Sequence, residues 1–123
     1  MPYIFMNVNP NNDVYAEDCV TRAISLATGL KYTAVTNLLD ITSWLFACPK
    51  LCAACYKHLL SGILHYKQKY AKRGQTVDDI STLYKENKLI IRIDGHLTAS
   101  IYGVIYDTFD CSDELADCFW IVE

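Results

Sequence analysis

Up to about residue 84 the apolar positions recur every three or four residues; beyond it they alternate or run together, and this change of period divides the chain into helices and then strands. Met1 to Asp18 is a leading segment, a short apolar stretch followed by the turn-forming Asn9-Pro10-Asn11-Asn12-Asp13. Asp18 is placed to cap a first helix, in which Cys19, Val20, Ala23, Ile24 and Ala27 repeat with helical spacing until Gly29 stops it. A second helix starts near Thr33 with Val35, Leu38, Leu39, Thr42 and Leu45 on one side, and Cys48-Pro49 breaks it. Pro49 suits the first turn of a third helix, carrying Cys52, Cys55, Leu59, Ile63, Tyr66 and Tyr70 and ending near Gly74. Thr76, followed by Asp78 and Asp79, opens a short fourth helix to about Tyr84.

The strands follow. Leu89 to Ile93 (LIIRI) is a dense β-branched run, His96 to Tyr102 alternates, Gly103 makes a turn, and Val104 to Phe109 and Cys118 to Val122 complete the set. N-terminal helices followed by a small antiparallel sheet define an α+β class, and 123 residues without repeat, linker or low-complexity segment make one domain, 1–123. Trp44 and Trp120 are expected as core anchors, and Tyr56, Tyr66 and Tyr70 on the inner face of the third helix.

Composition narrows the function classes. With 52% hydrophobic and 20% charged residues the chain can bury a core, which excludes whole-chain disorder. A net charge of −3 argues against a dedicated nucleic-acid binder, and Lys67, Lys69, Lys72 and Arg73 read as a solvated helix face. No apolar run reaches about 18 residues, so no membrane span is expected. MPYIFMNVNP has no charged n-region or long apolar core, so no signal peptide is expected and the protein is read as cytoplasmic. In a reducing compartment the six cysteines are core thiols, metal ligands or a nucleophile rather than disulfides.

Cys19 is the candidate nucleophile. In the first turn of a helix the unpaired N–H groups and the dipole favour thiolate over thiol. A cysteine nucleophile also needs an imidazole to take its proton and a third group to orient the ring. If Tyr102-Gly103 is a two-residue hairpin loop, Ile101 pairs with Val104, Thr98 with Asp107 and His96 with Phe109. His96 and Asp107 then project from one face as diagonal neighbours, and Asp110 has the opposite parity. The structural alternative is an inert buried cysteine and a packed histidine.

DCVTRAISLATG after an Asn-Pro-Asn turn, then GHLTASIYGVIYDTFDCSD and a terminal CFW, resembles a group of small phage and prophage proteins with a papain-like cysteine-peptidase fold. The likeness covers about the first 30 and last 45 residues, with a looser match at Thr76-Val77-Asp78-Asp79-Ile80. It implies Cys19 as nucleophile, His96 as general base and Asp107 as the orienting acid. Papain-like enzymes often carry a Gln a few residues before the cysteine as oxyanion donor. Here that stretch is Asn11-Asn12-Asp13-Val14-Tyr15-Ala16, so Asn12 or Asn9 takes the role, with the Cys19 backbone N–H as second donor.

A second cluster, Cys48, Cys52, Cys55 and His58, has ligand-like spacing. An iron–sulfur radical enzyme is excluded by chain length. A zinc site is the alternative to packed core thiols, because Cys52, Cys55 and Leu59 form one stripe if the helix is continuous. Cys111 and Cys118 read as small hydrophobes, and His65 as a surface residue. No cofactor is expected. Two functions follow: a cysteine-dependent hydrolase or acyltransferase acting on an amide or thioester of a protein or peptide substrate, or a catalytically silent papain-like binding module that inhibits a host or defence protein.

Overall fold

The computed structural model describes residues 3–13 and 17–123, so Met1, Pro2 and Val14-Tyr15-Ala16 of the leading segment lie outside the described residues. Four α-helices, α1 (Cys19–Thr28), α2 (Tyr32–Phe46), α3 (Ala53–Lys57) and α4 (Val77–Leu83), accompany six strands. These are β1 (Tyr3–Phe5), β2 (Lys67–Tyr70), β3 (Lys88–Ile93), β4 (His96–Ile101), β5 (Val104–Asp107) and β6 (Ala116–Val122). They form one mixed sheet in the order β1-β5-β4-β3-β6-β2, with β1 parallel to β5 and every other pair antiparallel.

The sheet is covered on both faces, which is why its central strands read as continuous apolar runs rather than alternating ones. Ile90, Cys118, Trp120 and Val122 join Val20, Ile24, Val35, Leu39 and Leu59 from the helices in one core. Leu89, Ile91, Ile93 and Phe119, of opposite parity, join Val77 and Ile80 of α4 in the other. Helix α1 ends where Gly29 adopts φ 77° and its N–H bonds Ser25 O at 3.0 Å. Helix α4 starts with a reciprocal capping box, Thr76 accepting from the Asp79 N–H and Asp79 from the Thr76 N–H.

Several expectations are corrected. The third helix does not run to Gly74: α3 passes into one π-helical turn, His58–Ile63, and the chain reverses at His65, with φ 57°, into β2. Lys67 and Lys69 therefore lie on an edge strand, where charged side chains discourage further strand pairing. Tyr70 is exposed, as is Leu45 of α2. Trp44 is 82% exposed and anchors nothing, whereas Trp120 is fully buried. The sheet is also not purely antiparallel, because Tyr3–Phe5 adds a parallel edge strand alongside β5.

Candidate active site

The site lies where the start of β4, the end of β5 and the first turn of α1 meet. The hairpin that joins the two strands sets the register. Tyr102 and Gly103 both have positive φ, 50° and 82°, as a two-residue type I′ turn requires, and Ile101 pairs with Val104. His96 and Asp107 consequently meet away from the turn, with His96 Nε2 and Asp107 Oδ2 2.6 Å apart. Strand β5 ends at Asp107, so Phe109 lies beyond the ladder, and its ring packs against the imidazole at 4.7 Å.

Asp107 is buried and tied down at several atoms. Its Oδ1 accepts the Thr108 N–H at 2.7 Å, and its main-chain carbonyl accepts the Met6 N–H at 2.9 Å and the Tyr3 hydroxyl at 3.1 Å. Behind it stands Arg22, buried on α1, whose Nη1 donates to Asp18 Oδ1 at 2.6 Å and whose Nη2 lies 3.9 Å from Asp107 Oδ1. Asp18 occupies the capping position without a side-chain cap bond, because its carboxylate is used by Arg22, Asn9 Nδ2 and the Tyr32 hydroxyl.

Cys19 is the first residue of α1, partly buried and next to the imidazole. Burial raises its thiol, but hydrogen bonds with His96 and the Leu97 backbone, and the charges of His96 and Arg22, outweigh that and bring it below the ordinary value. His96 moves the opposite way. Burial lowers it, yet Asp107, Cys111 and Cys19 together push it up to about 11. Burial likewise raises Asp107, and its bond to His96, the charge of that ring and the Thr108 N–H bring it below the usual carboxylate value. All three directions favour a thiolate beside an imidazolium held by a carboxylate. Since Nε2 is taken by Asp107, Nδ1 is the ring nitrogen left for Cys19.

Cys111 is the member that sequence reasoning missed. Its Sγ lies 3.8 Å from Asp107 Oδ2, and with His96 it makes the one group of metal-ligand atoms among the described residues that converges within 4.8 Å. Oδ2 is already engaged by His96, so the group is accounted for by the hydrogen-bonded pair. Cys111 is 1% exposed and Cys19 lines the cleft, so access rather than proximity to His96 distinguishes the two thiols. The only sequence cue was that Cys111 lies four residues beyond Asp107.

Cys19 and His96 border a recess of about 170 Å³ walled by Val20, Leu51, Ala53, Tyr56, Arg92 and Gly95. A wider depression of about 550 Å³ adjoins it, with Glu17, Thr108 and Phe109 along its side. Asn12 lines neither: it is exposed in the turn with φ 53°, its N–H bonded to the Asn9 carbonyl. The Asn9 amide donates to Asp18 at 2.8 Å. The described contacts of these two asparagines thus lie in the turn and on Asp18.

Among the described residues, no three of Cys48, Cys52, Cys55 and His58 bring their ligand atoms within 4.8 Å of one another. Cys55 is buried, its thiol directed at the Leu39 carbonyl at 3.7 Å, and burial with Cys48 and Cys52 nearby pushes it up to about 12. His58 stacks flat on Phe46 at 4.0 Å. Cys48 and Cys52 pack against the helical core. Among the described residues no helix is long and apolar enough to cross a membrane. No family model matches the chain, and neither a curated protein nor a solved structure matches it.

Proposed function

We propose that the protein is a papain-like cysteine hydrolase or acyltransferase, phage-encoded and acting in the host cytoplasm on an amide or thioester bond of a protein or peptide. The observation that carries this reading is the chain Cys19–His96–Asp107 opening on a recess, with the nucleophile at a helix start and its imidazole fixed by a buried carboxylate. The Cys19 thiolate attacks the carbonyl carbon. The Nδ1 proton of His96 goes to the leaving amine or thiol, and a thioester on Cys19 remains. Water, or an amine acceptor, then gives a proton back to His96 as it attacks the thioester and frees the sulfur. Asp107 keeps the ring oriented and stabilises its charge throughout.

The test is the rate of iodoacetamide alkylation at each cysteine across pH 4 to 9, read by peptide mapping, with His96→Ala alongside. Fast reaction at Cys19 below about pH 7 that slows without His96 is expected; a Cys19 as slow as Cys55 and indifferent to His96 overturns the reading. A second reading, the silent binding module, draws on Ile41, Trp44, Leu45 and Phe46, which leave apolar surface exposed on α2. It predicts that partner capture survives Cys19→Ala and fails in Trp44→Ser.

A further inference from the structure

An acyl-transfer site needs donors aimed at the oxygen on which charge develops; the Asn9 amide is spent on Asp18, and Asn12 does not line the recess at Cys19. Resting on the function proposed above, we infer that Tyr56 supplies this donor: its phenol hydroxyl and the Cys19 backbone N–H form the oxyanion hole.

Geometry carries the assignment. Tyr56 walls the same recess as Cys19 and His96. Its hydroxyl oxygen accepts the Arg92 Nε–H at 2.8 Å, which fixes the oxygen and leaves the hydroxyl proton free to be donated. A guanidinium on that oxygen also polarises the O–H bond and strengthens it as a donor. Tyr56 is 6% exposed and its ring stands edge-on to the buried Trp120, at 5.9 Å and 83°, so the hydroxyl is presented from a rigid support. Arg92 is braced in turn by Asp117. Burial first, with smaller contributions from Cys118 and Cys19, raises the Tyr56 phenol against the lowering effect of Arg92, so the hydroxyl stays protonated. The Cys19 N–H is the second donor because the first N–H groups of a helix have no partner within it.

In the step itself, a lone pair of Cys19 Sγ forms the bond to the carbonyl carbon and the C=O π pair moves onto oxygen. Tyr56 and the Cys19 N–H hydrogen-bond that oxygen without giving up their protons. When the C=O reforms, the bond to the leaving group breaks and that group takes the Nδ1 proton of His96.

The experiment compares two reactions at Cys19 in the intact protein. Acylation by p-nitrophenyl acetate passes through an oxyanion; alkylation by iodoacetamide does not. Both are measured at pH values where the thiolate is fully formed. Tyr56→Phe, which keeps the ring and its packing, is expected to slow acylation about 100-fold and leave alkylation within about twofold. Arg92→Met, which removes the polarising donor from a partly exposed position, is expected to slow acylation about fivefold with alkylation unchanged. Wild-type acylation in Tyr56→Phe, or equal loss of both reactions in both variants, overturns the assignment alone. Absence of either reaction at Cys19 in the wild-type protein overturns the proposed function, and the assignment with it.

Discussion

Replacing Asp107 by Asn removes the charge that holds the imidazolium and keeps the shape of the side chain. His96 stands at about 11 against an ordinary 6.5, a difference equivalent to at most about 6 kcal/mol of extra affinity for its proton. Asp107 is first among the partners that sustain it, ahead of Cys111 and Cys19. Taking half of that ceiling for Asp107, and discounting for the solvent-facing edge of the ring, leaves about 2 kcal/mol for the pair. The pH dependence has a definite sign. A raised histidine contributes stability that is complete below 6.5 and is lost as pH climbs toward about 11. A depressed carboxylate contributes stability that is complete above 3.8 and is lost as pH falls through its lowered value. The unfolded histidine is common to both proteins, so the cost of Asp107→Asn is complete near pH 5.5 and falls as pH drops below 3.8. On the alkaline side it shrinks only as pH passes the variant's own His96 value on the way to about 11. Urea unfolding of the two proteins near pH 3, 5.5 and 10.5 measures it, with Cys19→Ser in both so that the thiol's own titration drops out. A cost at pH 5.5 no larger than at pH 3 and 10.5 refutes the imidazolium–carboxylate pair.

Arg22→Met leaves the buried Asp18 without its cation and is expected to cost about 3 kcal/mol in urea unfolding and to slow Cys19 alkylation at neutral pH; unchanged stability would refute a structural ion pair. The two tryptophans should separate sharply in the same assay. Trp120→Ala, from a fully buried site, costs about 4 kcal/mol, and Trp44→Ala, at 82% exposure, changes stability by less than about 0.5 kcal/mol. Gly103→Ala places a Cβ 3.1 Å from that of Lys85 at φ 82° and is expected to destabilise by more than about 1 kcal/mol, visible as a lower Tm.

The parts of the fold that local chemistry decides were legible in the residues. Gly29 ends α1 and Thr76 with Asp79 starts α4 because each solves a local hydrogen-bonding problem at a helix end. Tyr102-Gly103 sets the hairpin register, and with it the approach of His96 to Asp107, because the side chains of a strand alternate strictly. What tertiary packing decides was not legible. Tyr66 and Tyr70 continue the helical spacing of Leu59 and Ile63, yet Lys67–Tyr70 pairs with β6, where the sheet edge offers backbone partners that a solvated helix cannot match. Trp44 looks like core by residue type, but Val35, Leu39 and Thr42 fill the buried stripe of α2 and turn it outward. Cys111 and Tyr56 reach the site from segments whose position follows only from the assembled sheet and helices, so no spacing in the chain announces them.

The central claim is that Cys19 carries an acyl group. The direct measurement is intact mass followed by peptide mapping after brief exposure to a peptide p-nitrophenyl ester and acid quenching. The account predicts a thioester on the Cys19 peptide, absent in Cys19→Ala and formed about 100-fold more slowly in His96→Ala. An acyl group on Cys48 or Cys52 instead, or a Cys19 peptide that stays unmodified, would contradict it.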